Sequence, residues 1–335
     1  VTVPPMSIEH EQELLRITLA NQLQSFDIGF EPDIPACVAR LCRQFQRHSA
    51  PPGPAMRFLQ ELSGRKRGGG KPHPWALRWV VGEFSQRAGL PPSLLDEQDV
   101  VDALAQEVIG QQHACQQVAG VVTRIKSAIQ DPQRPFGCML LCGPTGVGKT
   151  QLAKSLAKYL FGAASDKTPM VRLDMSEYAG ATAGFRFLND SHGNSAPWIQ
   201  QIRSRPLSVL LLDEVEKASS EVFDILLSVL DEGRLTDRFG RVTSFRNSVI
   251  LMTSNLGSRN SSSLGFADDT GVDYASEVRK AFRPEFFNRL DSVIAFTPLQ
   301  QSVIREITEK ELADLRRREG LERYGRQIEW TAALV

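Results

Sequence analysis

Apolar positions along this chain follow two rhythms. Through residues 7–63 they recur at helical spacing. Leu14, Leu15, Leu19 and Leu23 mark a helix over 7–26, with Ser7 placed to cap its start. Val38, Leu41, Cys42 and Phe45 mark a second helix from about Asp33, with Pro35 in its first turn. Ala50-Pro51-Pro52-Gly53-Pro54 ends it, and a short third helix turns Met56, Leu59 and Leu62 inward. The basic, glycine-rich stretch 65–72 reads as a solvated linker rather than a nucleic-acid patch. A helix from Trp75 to about Ala88 follows. Residues 100–130 are helical, with Val118, Val121, Val122, Ile125 and Ile129 on one side.

The second rhythm is a set of short continuous apolar runs separated by helical patterns. The runs are 138–142, 208–212, 248–253 and 293–296, and the mixed stretch 170–175 reads as a further strand. A run that is apolar throughout, rather than alternating, predicts a strand covered on both faces. Between the runs, Leu152, Leu156 and Leu160 share one helix face. Val222, Ile225, Leu226, Val229 and Leu230 share another, in a helix that stops at Gly233. Residues 235–242 read as a hairpin, and 300–318 as a final helix. The expected fold class is α/β: a parallel five-stranded sheet flanked by helices, plus small all-helical units.

Composition narrows the function classes. Lys plus Arg and Asp plus Glu both number 39, so formal net charge is zero and the bulk electrostatic case for nucleic acid is removed. No apolar run approaches a membrane span, and the start, Val1-Thr2-Val3-Pro4-Pro5, lacks a signal-peptide pattern. The start reads like the middle of a longer chain. The cysteines (37, 42, 115, 138, 142) form no C-x-x-C pair and sit in apolar patterns, as buried free thiols of a reducing cytoplasm would.

The candidate chemistry lies at the ends of the apolar runs. The run 138–142 leads into Gly143-Pro144-Thr145-Gly146-Val147-Gly148-Lys149-Thr150, which in turn opens a helix. Strand, glycine loop and helix together turn backbone N–H groups and a helix N-terminus toward phosphate oxygens. Lys149 can reach the outer phosphates of a nucleoside triphosphate, and the Thr150 hydroxyl can hold Mg²⁺. The run 208–212 ends in Asp213-Glu214. Asp213 is placed to hold Mg²⁺ through water, and Glu214 to polarise an attacking water. Asn255 ends the run at 248–253. In a parallel sheet all of these fall at the carboxyl edge, where ligands bind.

GPTGVGKT, LLLDEVEKA, ILMTSN and FRPEFFNRLD, in this order, resemble the second ATPase module of the Clp-type AAA+ unfoldases and disaggregases. IGQ at 109–111, LDMSEY at 173–178 and GRLTDRFGRVTSFRN at 233–247 match as well. The resemblance covers roughly residues 90–320, and 1–63 more weakly resemble the helical lid of a preceding module. It implies 64–98 as linker and connecting helix, 99–298 as the large ATPase subdomain, and 299–335 as the start of a C-terminal lid. It implies an ATP-hydrolysing homo-hexameric ring, with ATP and Mg²⁺ as cofactors and protein as substrate. Lys149, Thr150, Asp213 and Glu214 take the Walker roles and Asn255 that of sensor 1. Ile109 and Gly110 take part of the adenine pocket. Arg289, assisted by Arg283, becomes an arginine finger inserted into the neighbouring subunit. A surface ion pair is the alternative for Arg289.

The chain departs from that family in two places. Clp second modules carry a polypeptide-gripping aromatic between glycines ahead of Asp213. Residues 179–202, AGATAGFRFLNDSHGNSAPWIQQI, hold no such motif. Phe185, Phe187 and Trp198 are the candidates to replace it, and each could equally be core. No sensor 2 arginine is identified in 299–335, and 54–76 leaves no room for a long coiled-coil middle domain, which points toward the peptidase-coupled members. Leu264-Gly265-Phe266 sits where those members dock on a peptidase ring. A Clp-type peptidase or adaptor is therefore a candidate partner, and nucleic acid and membrane are not. Two functions remain open: an ATP-driven unfoldase, and a non-threading ATPase switch or scaffold that controls a partner by assembly.

Overall fold

Successive side chains of a strand point to opposite faces, and in the three inner strands here both faces are covered. In the computed structural model, strands β1 (Gly137–Cys142), β2 (Met170–Asp174), β3 (Ser208–Asp213), β6 (Ser248–Ser254) and β7 (Ser292–Ala295) form one five-stranded sheet. The structure describes residues 6–24, 28–46, 50–65, 74–88, 100–127, 131, 133–161, 170–205, 207–256 and 274–316. The strand order is β2-β3-β6-β1-β7, and every pairing is parallel, as the apolar runs predict. β1, β3 and β6 are buried at every position. The separate hairpin joins β4 (Arg234–Thr236) to β5 (Val242–Ser244).

The pleat divides the interior into two cores. Met139, Leu141, Val209, Leu211, Val249 and Leu251 face one layer. That layer holds α5 (Val100–Ala105), α6 (Gln112–Ser127) and α7 (Lys149–Phe161), and continues into α1 (Ile8–Gln24), α2 (Ile34–Phe45), α3 (Gly53–Arg65) and α4 (Leu77–Ala88). Cys138, Leu140, Leu210, Leu212, Ile250 and Met252 face the other. There they meet α8 (Ala183–Leu188), α9 (Pro197–Ser204), α10 (Ser220–Glu232), α11 (Tyr274–Ala281) and α12 (Pro284–Phe287). The last described helix is α13 (Gln301–Arg316). All five cysteines are free thiols; burial pushes Cys42 up to about 12 and Cys142 to about 11.

The N-terminal helices close on one another through aromatic contacts. Phe84 of α4 meets Phe58 edge-on at 5.3 Å and Phe45 at 6.4 Å. α4, read from sequence as a connecting helix, packs against α2 and α3. The unit is fastened to the sheet at the amino ends of its strands. Phe45 packs against Phe136, just ahead of β1, at 6.0 Å, and Asn247, just ahead of β6, donates its amide to the Phe45 carbonyl at 2.9 Å. The Gln44 amide donates to the Ile125 carbonyl. In a parallel sheet this leaves the carboxyl edge clear.

On the opposite layer, Trp198 of α9 fills the space between Phe187 of α8 at 4.8 Å and Phe245 after β5 at 5.9 Å. Its indole N–H donates to the Phe187 carbonyl at 2.7 Å. Two of the three candidate gripping aromatics are therefore core: Phe187 is 0% exposed and Trp198 4%. Burying a large ring outweighs displaying it where a fitted cavity exists. Phe185, 55% exposed, alone of the three faces outward. Trp198→Ala should lower unfolding stability by about 3–5 kcal/mol, and Phe185→Ala by no more than about 0.5 kcal/mol. Denaturant midpoints of the two variants check this, and comparable losses would contradict the placement.

Candidate nucleotide site

At the end of β1 the chain turns through Gly143, Gly146 and Gly148, all at positive φ (144°, 85° and 103°), before α7 begins at Lys149. Gly143 has no room for a side chain: a Cβ would lie 2.6 Å from the Phe296 carbonyl oxygen. The loop and the first turn of α7 form one wall of a cavity of about 380 Å³. Thr145, Lys149 and Thr150 stand on that wall. Asp213 and Glu214 from the end of β3, and Thr253 and Asn255 from the end of β6, close the other. The five residues predicted to meet at the carboxyl edge, Lys149, Thr150, Asp213, Glu214 and Asn255, do meet there.

The side chains in this cavity are tied to one another. The Lys149 ammonium donates to the carbonyls of Gly143 at 2.6 Å and Pro144 at 2.7 Å, and to Asn255 Oδ1 at 2.9 Å. Burial pushes its pKa below the usual lysine value, opposed by the nearby carboxylates of Glu216, Asp213 and Glu214. Asp213 is buried; it accepts from Thr253 Oγ1 at 3.0 Å and pairs with Arg172 Nε at 2.5 Å. Glu214 has a left-handed backbone, φ 56°, unique among non-glycine residues of the described set. Its N–H donates to Thr253 Oγ1 at 3.0 Å, which aims the carboxylate into the cavity. Asn255 Nδ2 donates to Glu214 Oε1 at 3.0 Å, and Lys217 pairs with Oε2 at 2.5 Å.

These donors suit a magnesium–triphosphate. A hydroxyl (Thr150) and a buried carboxylate (Asp213) share one cavity as hard oxygen ligands, and the glycine loop and Lys149 supply the complement to phosphate. A second cavity, of about 560 Å³, is lined by Val108, Ile109 and Gly110 on one side and by Val303, Glu306 and Lys310 of α13 on the other. Gly110 lies hard against Val303, and Val108 lies beside Gly148, so this pocket adjoins the glycine loop. The Gln111 amide fastens the segment, donating to the Thr297 carbonyl at 2.8 Å. Ile109 and Gly110 thus line a cavity that adjoins the glycine loop.

Arg289 is not part of this cavity. Its guanidinium pairs with Asp231 in the last turn of α10, and its carbonyl accepts from Arg134 at 2.6 Å. Arg283 pairs with Asp224 of the same helix at 2.8 Å. Within one chain the surface ion pair is the observed arrangement. Leu264-Gly265-Phe266 lie outside the described residues.

Sequence reading missed four participants: Arg172, Thr253, Glu216 and Lys217. Glu216 accepts the Asn255 backbone N–H at 2.9 Å and faces Lys149. Their signal was position alone. Arg172 and Thr253 lie near the carboxyl ends of β2 and β6, and Glu216 and Lys217 follow the acidic pair.

Comparison with known proteins agrees with this geometry. Residues 134–293 match a family model described as AAA domain (Cdc48 subfamily). The chaperone protein ClpB of Tropheryma whipplei is 43% identical over 246 residues, 69% of this chain and 34% of that protein. The ClpB of Oceanobacillus iheyensis is 36% identical over 344 residues, 95% of this chain and 40% of that protein. Among solved structures, an S. cerevisiae Hsp104:casein complex superposes with a TM-score of 0.73 at 26% identity, over 95% of this chain and 57% of that one. The chain spans well under half the length of these curated relatives.

Proposed function

This chain belongs to the Clp-type AAA+ unfoldase and disaggregase family, and on that premise we propose that it is an ATP-hydrolysing motor that remodels protein substrates as a homo-hexameric ring. The observation that carries the proposal is the Glu214 carboxylate. It is held by Asn255 and Lys217 at the mouth of the cavity that contains Lys149, Thr150 and Asp213. ATP supplies the transferable γ-phosphoryl group, and Mg²⁺ its charge neutralisation. In this reading the glycine loop and Lys149 bind and orient the triphosphate. Thr150 and Asp213 hold the metal. Glu214 takes the proton of the attacking water, and Asn255, hydrogen-bonded to both Lys149 and Glu214, keeps that water aligned with the phosphoryl group.

In the same reading α1–α4 are the lid of a preceding module and 99–298 the ATPase core. α13 opens the following lid, and the protein works in the cytoplasm. No helix among the described residues is long and apolar enough to cross a membrane. Peptidase docking rests on Leu264-Gly265-Phe266 and on the short 54–76 stretch, while the named relatives are chaperones, so the proposal is remodelling without a peptidase.

The test is ATP turnover by the purified chain, with and without a permanently unfolded protein. Magnesium-dependent turnover that the unfolded protein stimulates and EDTA abolishes is the expected result. Turnover indifferent to polypeptide would favour the second reading, an assembly switch, which the burial of Phe187 and Trp198 otherwise supports.

A further inference from the structure

The loop that carries the gripping aromatic in this family is here folded shut. Asn189 and Ser195 close a bridge, and Asp190 accepts the N–H groups of His192 and Asn194 at 2.9 and 2.8 Å. The closed turn is bolted to the β4–β5 hairpin. Ser195 Oγ donates to Asp237 Oδ2 at 2.6 Å, and Arg241 donates to Ser195 Oγ at 2.7 Å. Gly193 abuts the Arg238 guanidinium so closely that a Cβ would lie 2.6 Å from it.

What projects from the joined unit is the hairpin tip. Phe239 is 55% exposed, with the guanidinium groups of Arg238 and Arg241 against its ring at 4.6 and 4.9 Å. Val242 beside it is equally exposed. The tip is rigid. Asp237 Oδ1 accepts from the N–H groups of Phe239 and Arg241, both at 2.9 Å, and the Gly240 N–H donates to the Asp237 carbonyl at 2.9 Å. Burial would raise the Asp237 carboxyl, but these N–H groups, Ser195 and Arg241 hold it well below the usual carboxylate range.

We propose that this tip, Phe239 flanked by Arg238 and Arg241, is the surface that takes hold of extended polypeptide, in place of the closed turn at 189–195. The inference rests on the remodelling function proposed above. An unfolded chain offers what the tip complements: apolar side chains for the ring and Val242, and carbonyl or carboxylate oxygens for the Arg238 guanidinium. Arginine beside an aromatic ring also suits single-stranded nucleic acid, but the chain balances 39 basic with 39 acidic residues and lacks the net charge that backbone binding draws on. A second copy of the chain is a poorer occupant. A stable interface covers roughly 800 Å² a side, far more than one four-residue turn presents.

The test uses the full chain with a slowly hydrolysed ATP analogue and a fluorescein-labelled, reduced and carboxymethylated α-lactalbumin as probe. Phe239→Ala should weaken probe binding at least about tenfold and abolish stimulation of turnover, with basal turnover unchanged. Phe239→Trp should bind nearly as the parent does. The backbone bonds to Asp237 do not involve the ring, so the alanine variant keeps the tip's fold. Parent-like probe binding by Phe239→Ala would overturn the proposal. So would a loss of oligomeric mass by light scattering, which would make the tip a contact between copies. So would a Phe239-dependent preference for a short oligothymidylate over the probe. A parent protein that neither binds the probe nor responds to it would overturn the remodelling function itself; a parent that binds, with a silent Phe239→Ala, overturns this proposal alone.

Discussion

Glu214→Gln should lower ATP turnover by roughly 10²- to 10⁴-fold while leaving nucleotide affinity close to that of the parent. Glutamine keeps the length and planarity of the side chain and still offers Oε1 to Asn255 Nδ2. The backbone N–H that orients the residue, donated to Thr253, is untouched. What is lost is the capacity to accept a proton, together with the exposed ion pair to Lys217. Lys149, Thr150 and Asp213, which would bind the triphosphate and its metal, keep every contact they have. Phosphate release against titration of a fluorescent nucleotide separates the two quantities. Turnover within about threefold of the parent would remove Glu214 from the role of base. Nucleotide affinity falling in step with turnover would mean that the carboxylate serves binding rather than chemistry.

The parts of this fold legible in the sequence are those whose signal is local. β1, β3 and β6 are covered on both faces, so their residues are apolar throughout and no pairing partner is needed to recognise them. The glycine loop is recognisable because its conformation excludes other residues: Gly143 has the Phe296 carbonyl where a Cβ would be. Phe185 and Phe187 show the limit. They sit on a six-residue helix, too short for a periodic stripe. Which one is buried is decided by Tyr178 and Trp198, on the elements either side of the helix, that close around Phe187. Arg172 is the same case. Its partner Asp213 reaches it only through the β2–β3 register. The closure of residues 189–195 depends on Asp237, in a hairpin legible as a hairpin but not as a brace for another loop.

Arg289→Ala should lower turnover by roughly 10³-fold or more, although the residue touches nothing in its own chain's cavity. Its partner there is Asp231, in an ion pair about two-fifths exposed on both sides, of the kind that contributes little to stability. The fold should therefore be almost indifferent to its loss, with the denaturant midpoint nearly unchanged. A large kinetic effect without a stability effect leaves the neighbouring subunit's phosphates as the place where the guanidinium acts. Mixing decides between this and an indirect effect. A Lys149→Ala chain has a damaged cavity and an intact Arg289; an Arg289→Ala chain has the reverse. If the finger acts across the interface, co-assembling the two inactive variants puts a sound cavity beside a sound arginine and restores part of the turnover. If Arg289 works only by bracing α10 within its own chain, no mixture recovers activity, and the ion pair with Asp231 is the whole of its function.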